Sequence, residues 1–303
     1  MDPRHARTRT RVVMDAIPRT VTAHAAPAPL DTRASIAVCL THHGDALPPQ
    51  RAAREAEIRG IDGFYLPENS HVPVARPGTR RAFEGIERLA RFYDPFVTLA
   101  ACAAMTTRIR LGTGVCLLTQ REPRATARVV WSLRALAGER LVLGVAGGFI
   151  REAMENHGSP FPARWRVVRE RVAAMRALWA AEAAMPATRG QPGPPGPPIW
   201  IGSNSRQVPA RVAAYADGWM TREALYPGDA IADLRVACAE QGRDFDEITV
   251  ALMAAPLDAA AASRALARGY RELVFVVADT DADAILRRLD AVAVLARRLR
   301  EAS

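Results

Sequence analysis

The sequence predicts an α/β fold, a (β/α)8 barrel built from residues 35–303. Three observations carry this. From residue 35 onward, short β-branched apolar runs alternate with longer segments of helical period, and eight such units can be counted. They occupy roughly 270 residues, the length of one closed barrel rather than of two ordinary domains. Proline, glycine and capping residues fall between the runs, where turns belong.

Each element has its own justification. SIAVCL (35–40) is the first strand; Pro48 and Pro49 then sit where a helix opens and Gly60 where it closes. IDGFYL (61–66) is the second strand, followed by a long loop over 67–93. Asp94 caps and Pro95 opens a helix running to about Thr107. RIRLGTGVCLL (108–118) is the third strand, Glu122 to Ala137 its helix, and ERLVLGVAGG (139–148) the fourth strand with a glycine turn. The next helix sets Val168, Val172, Met175 and Trp179 on one stripe, with Arg164, Arg169, Arg171 and Arg176 elsewhere. MPATRGQPGPPGPP (185–198) can only be a loop, and units of similar size on both sides make it a connection inside one barrel. PIWIG (198–202), DGWMT (217–221), ITVALMA (248–254) and ELVFVVA (272–278) supply the last four strands, with helices over 207–216, 230–241, 260–269 and 281–299.

Composition narrows the function classes. With 49% hydrophobic and 24% charged residues the chain can bury a large core. No apolar run reaches the ~20 residues of a membrane helix. The net charge is +9, but all the basic residues are Arg and they are dispersed, without a cluster interleaved with aromatics, which argues against nucleic-acid binding. A soluble anionic cofactor suits the charge equally well. Cys39, Cys102, Cys116 and Cys238 lack paired spacing, so a reduced, cytoplasmic protein is expected. Cys116 reads as a small apolar residue ending a buried strand. Residues 1–34 are rich in Arg, Pro and Ala, lack a secretory apolar core, and read as a flexible extension.

Barrel chemistry sits at the carboxyl ends of the strands. There the sequence places Thr41, His42, His43 and Asp45 after the first strand, Glu68, Asn69 and His71 after the second, and Gly147, Gly148 and Phe149 after the fourth. The histidine spacing fits no metal motif; proton transfer suits these side chains, and loop capping suits each of them equally. LGTGV lacks the third glycine of a dinucleotide fingerprint and follows the wrong strand, so it reads as close backbone approach. IGSNS places Gly202, Ser203, Asn204 and Ser205 before a helix, where a phosphate is stabilised; the bland alternative is an ordinary helix cap.

In this order the motifs resemble those of the bacterial luciferase-like superfamily, and within it the oxidoreductases that use the deazaflavin coenzyme F420. LPENSH resembles the family's PEHTH segment; YDPFVTLA, TTRIRLGTGVCLL, RLVLGVAGGF, PPIWIGSNS and ADGWM follow in register, so the likeness covers about residues 35–295. The resemblance implies hydride transfer between the reduced deazaflavin and a C=C, C=N or C=O bond of a small organic substrate. Its alternatives are an FMN-dependent monooxygenase and a cofactor-binding barrel without turnover. It implies a ring lying across the mouth against a non-proline cis peptide at Gly114–Val115, beside Gly147 and Gly148. The phosphate would rest on Gly202 to Ser205, with Thr221 or Arg222 as a further contact. Arg121, Arg124 and Arg151 would either meet the coenzyme's oligoglutamate tail or lie solvated on helix faces. Phe149 would pack against the cofactor or close the barrel. A homodimer is implied as well. Asn69 departs from the family histidine, and an amide transfers no proton. His71 keeps the second histidine and is the first choice of proton donor, with Glu68, His42 and Tyr93 behind it. The Pro/Gly loop is shorter than in relatives, which implies a more open substrate pocket.

Overall fold

The computed structural model describes residues 34–41, 47–73, 87–184 and 196–301. The extension before Ala34, most of the Pro/Gly loop, and His42, His43 and Asp45 lie outside the described residues. Eight parallel strands close in sequence order: β1 (Ser35–Leu40), β2 (Gly63–Leu66), β3 (Arg110–Leu117), β4 (Leu141–Ala146), β5 (Ile199–Gly202), β6 (Gly218–Thr221), β7 (Thr249–Met253) and β8 (Glu272–Val277). β8 returns to β1 in unbroken register from Ser35–Glu272 to Leu40–Val277. Around them lie α1 (Pro49–Ile58), α2 (Pro95–Met105), α3 (Pro123–Ala137), α4 (Arg151–Asn156), α5 (Arg164–Ala184), α6 (Val208–Tyr215), α7 (Ala230–Glu240), α8 (Ala259–Arg268) and α9 (Ala282–Glu301). Among the described residues no helix is long and apolar enough to cross a membrane.

Local chemistry sets the ends of these elements. The Asp94 carboxylate accepts the N–H groups of Phe96 and Val97, and Pro95 follows, so α2 starts where the sequence says. β2 begins at Gly63 instead of 61 because Asp62 turns its carboxylate to the Ile36 N–H, at 2.8 Å, and to Arg300. β3 begins at Arg110 instead of 108. The backbone N–H groups of Thr107, Arg108 and Ile109 all donate to Glu57 Oε2, at 2.8 to 2.9 Å, before the ladder opens. Burial alone would raise the Glu57 pKa, yet these three donors hold it at about 2.

The main core lies between strands and helices, and the stripe Val168, Val172, Met175 and Trp179 is buried in it as its period requires. Trp179 also donates from Nε1 to the Ala127 carbonyl, tying α5 to α3. Inside the barrel a second cluster of Ala37, Cys39, Tyr65, Val142, Trp200, Met220, Ala251, Met253 and Val274 fills the lumen. The Trp200 indole needs Gly218 beside it, since a Cβ there would lie 2.5 Å from the ring. Toward the amino ends of the strands the fully buried Glu272 accepts from Tyr65 Oη, Ser35 Oγ and Arg110. The barrel is thereby packed from below, and the opposite, carboxyl end is left to carry a site.

Candidate active site

The wall of the mouth is built from β3 and β5. The Gly114–Val115 peptide is cis, at the position the family resemblance implies. Pairing of β3 with β4 shifts register between Thr113 and Cys116, so the strand bulges there. Val115 leans toward the end of β5: a Cβ on Gly202 would lie 2.4 Å from Val115 Cγ1, which makes that position a glycine. The loop after Gly202 is stapled to β6, because Asn204 Oδ1 accepts from the Arg222 N–H at 2.7 Å and from Thr221 Oγ1 at 3.3 Å. The Trp219 indole N–H donates to the Ser203 carbonyl at 2.8 Å. Backbone N–H groups of Asn204 and Ser205 meet no protein acceptor among the described residues.

The loop after β2 borders the mouth beside β3. Glu68 Oε2 accepts from the Leu117 N–H at 2.7 Å, and Oε1 accepts from Arg121 Nε at 2.6 Å. Arg121 also pairs with Asp94 and lies over the Phe96 ring, so one guanidinium links the β2 loop, the β3 loop and the cap of α2. Asn69 is 8% exposed, and its Nδ2 has no hydrogen-bond partner among the described residues. Gln120, beside Gly148 in the next loop, likewise leaves Oε1 buried and unpartnered. Leaving such groups unmatched costs about 1–3 kcal/mol each, and these two lie in the loops after β2 and β3 at the carboxyl end of the barrel.

Beyond Asn69 the loop reaches across to α4. Ser70 Oγ lies 2.8 Å from His71 Nδ1 and 3.0 Å from His157 Nε2, while Asn156 Nδ2 lies 3.0 Å from His71 Nε2. The two imidazoles are 5.6 Å apart between centroids. With the Asn156 amide donating to Nε2, the consistent pattern has His71 Nδ1–H donating to Ser70 Oγ and the Ser70 hydroxyl donating to His157 Nε2. Burial, and then the neighbouring His71, lower the His157 pKa.

The chain matches the family model for luciferase-like monooxygenases over residues 38–301. It belongs to the luciferase-like monooxygenase family. Its relatives include the uncharacterized protein Rv0953c of Mycobacterium tuberculosis, 34% identical over 257 residues, which span 78% of this chain and 89% of that protein. They also include the phthiodiolone/phenolphthiodiolone dimycocerosates ketoreductase of the same species, 26% identical over 235 residues, 68% of this chain and 60% of that one. Among solved structures, the coenzyme F420-dependent tetrahydromethanopterin reductase of Methanopyrus kandleri shares the fold with a TM-score of 0.63 at 14% identity, covering 86% and 97% of the two chains.

Within the luciferase-like frame, the structure gathers Glu68, Asn69, His71, Gly114, Val115, Gly147, Gly148, Gly202 to Ser205, Thr221 and Arg222 at or beside the carboxyl ends of neighbouring strands. Several have a defined task already. Thr221 is fully buried and holds the β5 loop through Asn204. Glu68 has both oxygens taken, and Arg121 is spent on Glu68 and Asp94. Arg124 is exposed and pairs loosely with Glu122. Phe149 and Tyr93 are exposed. Burial, and then the neighbouring Glu68, hold the Cys116 thiol well above its ordinary value, in keeping with a structural residue. Sequence reasoning missed Gln120, Asn156 and His157. The NH pair at 156–157 in ENHG was the available signal, hidden because α4 is too short to show a period.

Proposed function

We propose that this barrel binds coenzyme F420 at its mouth and transfers a hydride between the reduced deazaflavin and a C=O, C=N or C=C bond of a small organic substrate. One observation carries the reading: the unmatched donor Asn69 Nδ2 and the unmatched acceptor Gln120 Oε1. A flavin-like pyrimidine edge offers both carbonyl oxygens and a ring N–H, so it complements this pair. When bound, the deazaflavin supplies two-electron chemistry at its carbon 5. The ketoreductase relative supports a carbonyl as the first bond to test.

The residues divide the remaining work. Gly202 keeps the β5 loop free of side chain where Val115 approaches, and Asn204 and Ser205 offer backbone donors to a phosphate. Asn69 binds and orients without moving a proton. His71 serves as proton donor from Nε2 when its ring carries a second proton and releases the Asn156 amide, returning to the Nδ1–H form, with Ser70 and His157 joining it to solvent. Glu68 is a positioning residue that fixes the β2 loop on which His71 stands. Two chains pair through the exposed apolar face of α2 and α3, where Val97, Met105, Val129 and Leu136 lie and α2 bears no charge.

Equilibrium binding of F420 and of FMN to the purified protein, followed by fluorescence quenching, tests the reading with Gly202→Asp as control. About micromolar or tighter F420 binding, lost in the variant, is the expected result. Preference for FMN would favour an oxygen-using monooxygenase, and binding of neither would overturn the cofactor site.

A further inference from the structure

Three arginines, Arg151, Arg164 and Arg211, stand on the helices that follow β4 and β5. Arg164 opens α5 with its stem against Gly147: a Cβ on that glycine would lie 3.2 to 3.5 Å from Arg164 Cβ, Cγ and Cδ. Its guanidinium lies 4.2 Å from the Phe161 ring centroid and donates to the Phe161 carbonyl at 3.1 Å. Arg151, opening α4, covers the same ring at 4.5 Å, and its carboxylate contact is Glu155, at 3.5 Å. Arg211 on α6 lies 4.6 Å over the Trp165 ring and donates to Gln207 and, at 3.3 Å, to Ser205 Oγ in the phosphate-type loop. Among the described residues neither Arg164 nor Arg211 has a carboxylate partner. Burial, followed among the lowering effects by the charge of Arg164, brings Arg211 below its ordinary range, so the two cations sense each other.

Stacking on Phe161 and Trp165 fixes two long side chains in advance, so an arriving anion finds them ordered. Guanidinium groups match carboxylate and phosphate oxygens in shape. We propose that Arg164 and Arg211, with Arg151 at the outer end, form an anion ledge that receives a second carboxylate or phosphate on the ligand whose first phosphate rests on Gly202 to Ser205. The assignment rests on the cofactor reading above and moves its anionic extension from Arg121 and Arg124, which already have carboxylate partners, to these three arginines.

The test measures dissociation constants of wild type, Arg164→Gln, Arg211→Gln and Arg211→Lys for F420 bearing its oligoglutamate tail, for the deazaflavin riboside without phosphate or tail, and for FMN. Each is followed from about 50 mM to about 500 mM salt. The tailed coenzyme is expected to lose roughly tenfold in affinity in each Gln variant, with a shallower salt slope, while the riboside and FMN change little. Arg211→Lys keeps most of the slope. Equal losses for all three ligands, or none, would overturn the ledge. Should no flavin or deazaflavin bind wild type, the cofactor reading fails, and tripolyphosphate decides the ledge separately. A rise in melting temperature with tripolyphosphate in wild type that disappears in both Gln variants sustains the ledge; the same response in all proteins, or no response in any, removes it.

Discussion

Asn69 keeps a buried amide nitrogen unmatched, and Glu57 has three donors on one carboxylate oxygen; the two residues predict opposite behaviour. Replacing Asn69 by Leu removes a desolvated donor, so Asn69→Leu is expected to hold or raise the melting temperature while weakening F420 binding by about tenfold, a split read by thermal denaturation beside cofactor titration. Glu57 is stabilising wherever it is ionised. Its folded pKa of about 2 lies below the 4.5 of the free side chain, so its contribution is complete above the higher value and is lost as pH falls through the lower. Denaturant titration should show Glu57→Gln costing roughly 3 kcal/mol near neutral pH and much less at about pH 2. The departure at Asn69 was legible in the sequence because it broke a motif. Its unmatched state was not, since burial and partners depend on loops that come together only in the fold.

The loop after β2 is an element held at two points. Arg121 fastens Glu68 to the cap of α2, and the Ser70–His71 pair fastens the far end to α4. The second fastening has His157 Nε2 as an acceptor of the Ser70 hydroxyl, which a neutral His157 provides. Because the folded His157 pKa lies below 6.5, the unfolded chain binds the proton first, and the contribution of His157 falls as pH drops from about 6.5 through the folded value. Protection factors for amide exchange over residues 151–158, corrected for the intrinsic rate at each pH, should therefore fall between about pH 8 and pH 5, and the effect should vanish in His157→Gln. Periodicity disclosed the buried stripe of α5, through Val168 and its partners, but not α4. Six residues complete fewer than two turns, too few for a stripe to stand out. The early strand starts expected at 61 and 108 were displaced by Asp62 and Glu57, whose side chains take backbone donors from across the structure.

At the scale of the whole molecule, topology was the most legible level, because eight alternating units leave few ways to bury their apolar faces. The proposed pairing of two chains has less local support in the sequence: the exposed face of α2 is apolar in a helix whose composition alone reads as core. Val97 is 74% exposed there, so Val97→Glu leaves the core untouched and is expected to convert dimer to monomer in sedimentation analysis with the fold retained. An unchanged mass would remove that face as the interface. The lumen packed with Tyr65, Trp200 and Met220 over the buried Glu272 has one more outcome. Because that packing blocks approach from below among the described residues, ligands reach the mouth from the carboxyl end, and the one that settles deeper is expected to arrive first and depart last. For two ligands sharing the mouth this imposes a queue: turnover should follow an ordered sequence, with the inner ligand locked in place until the outer one has left.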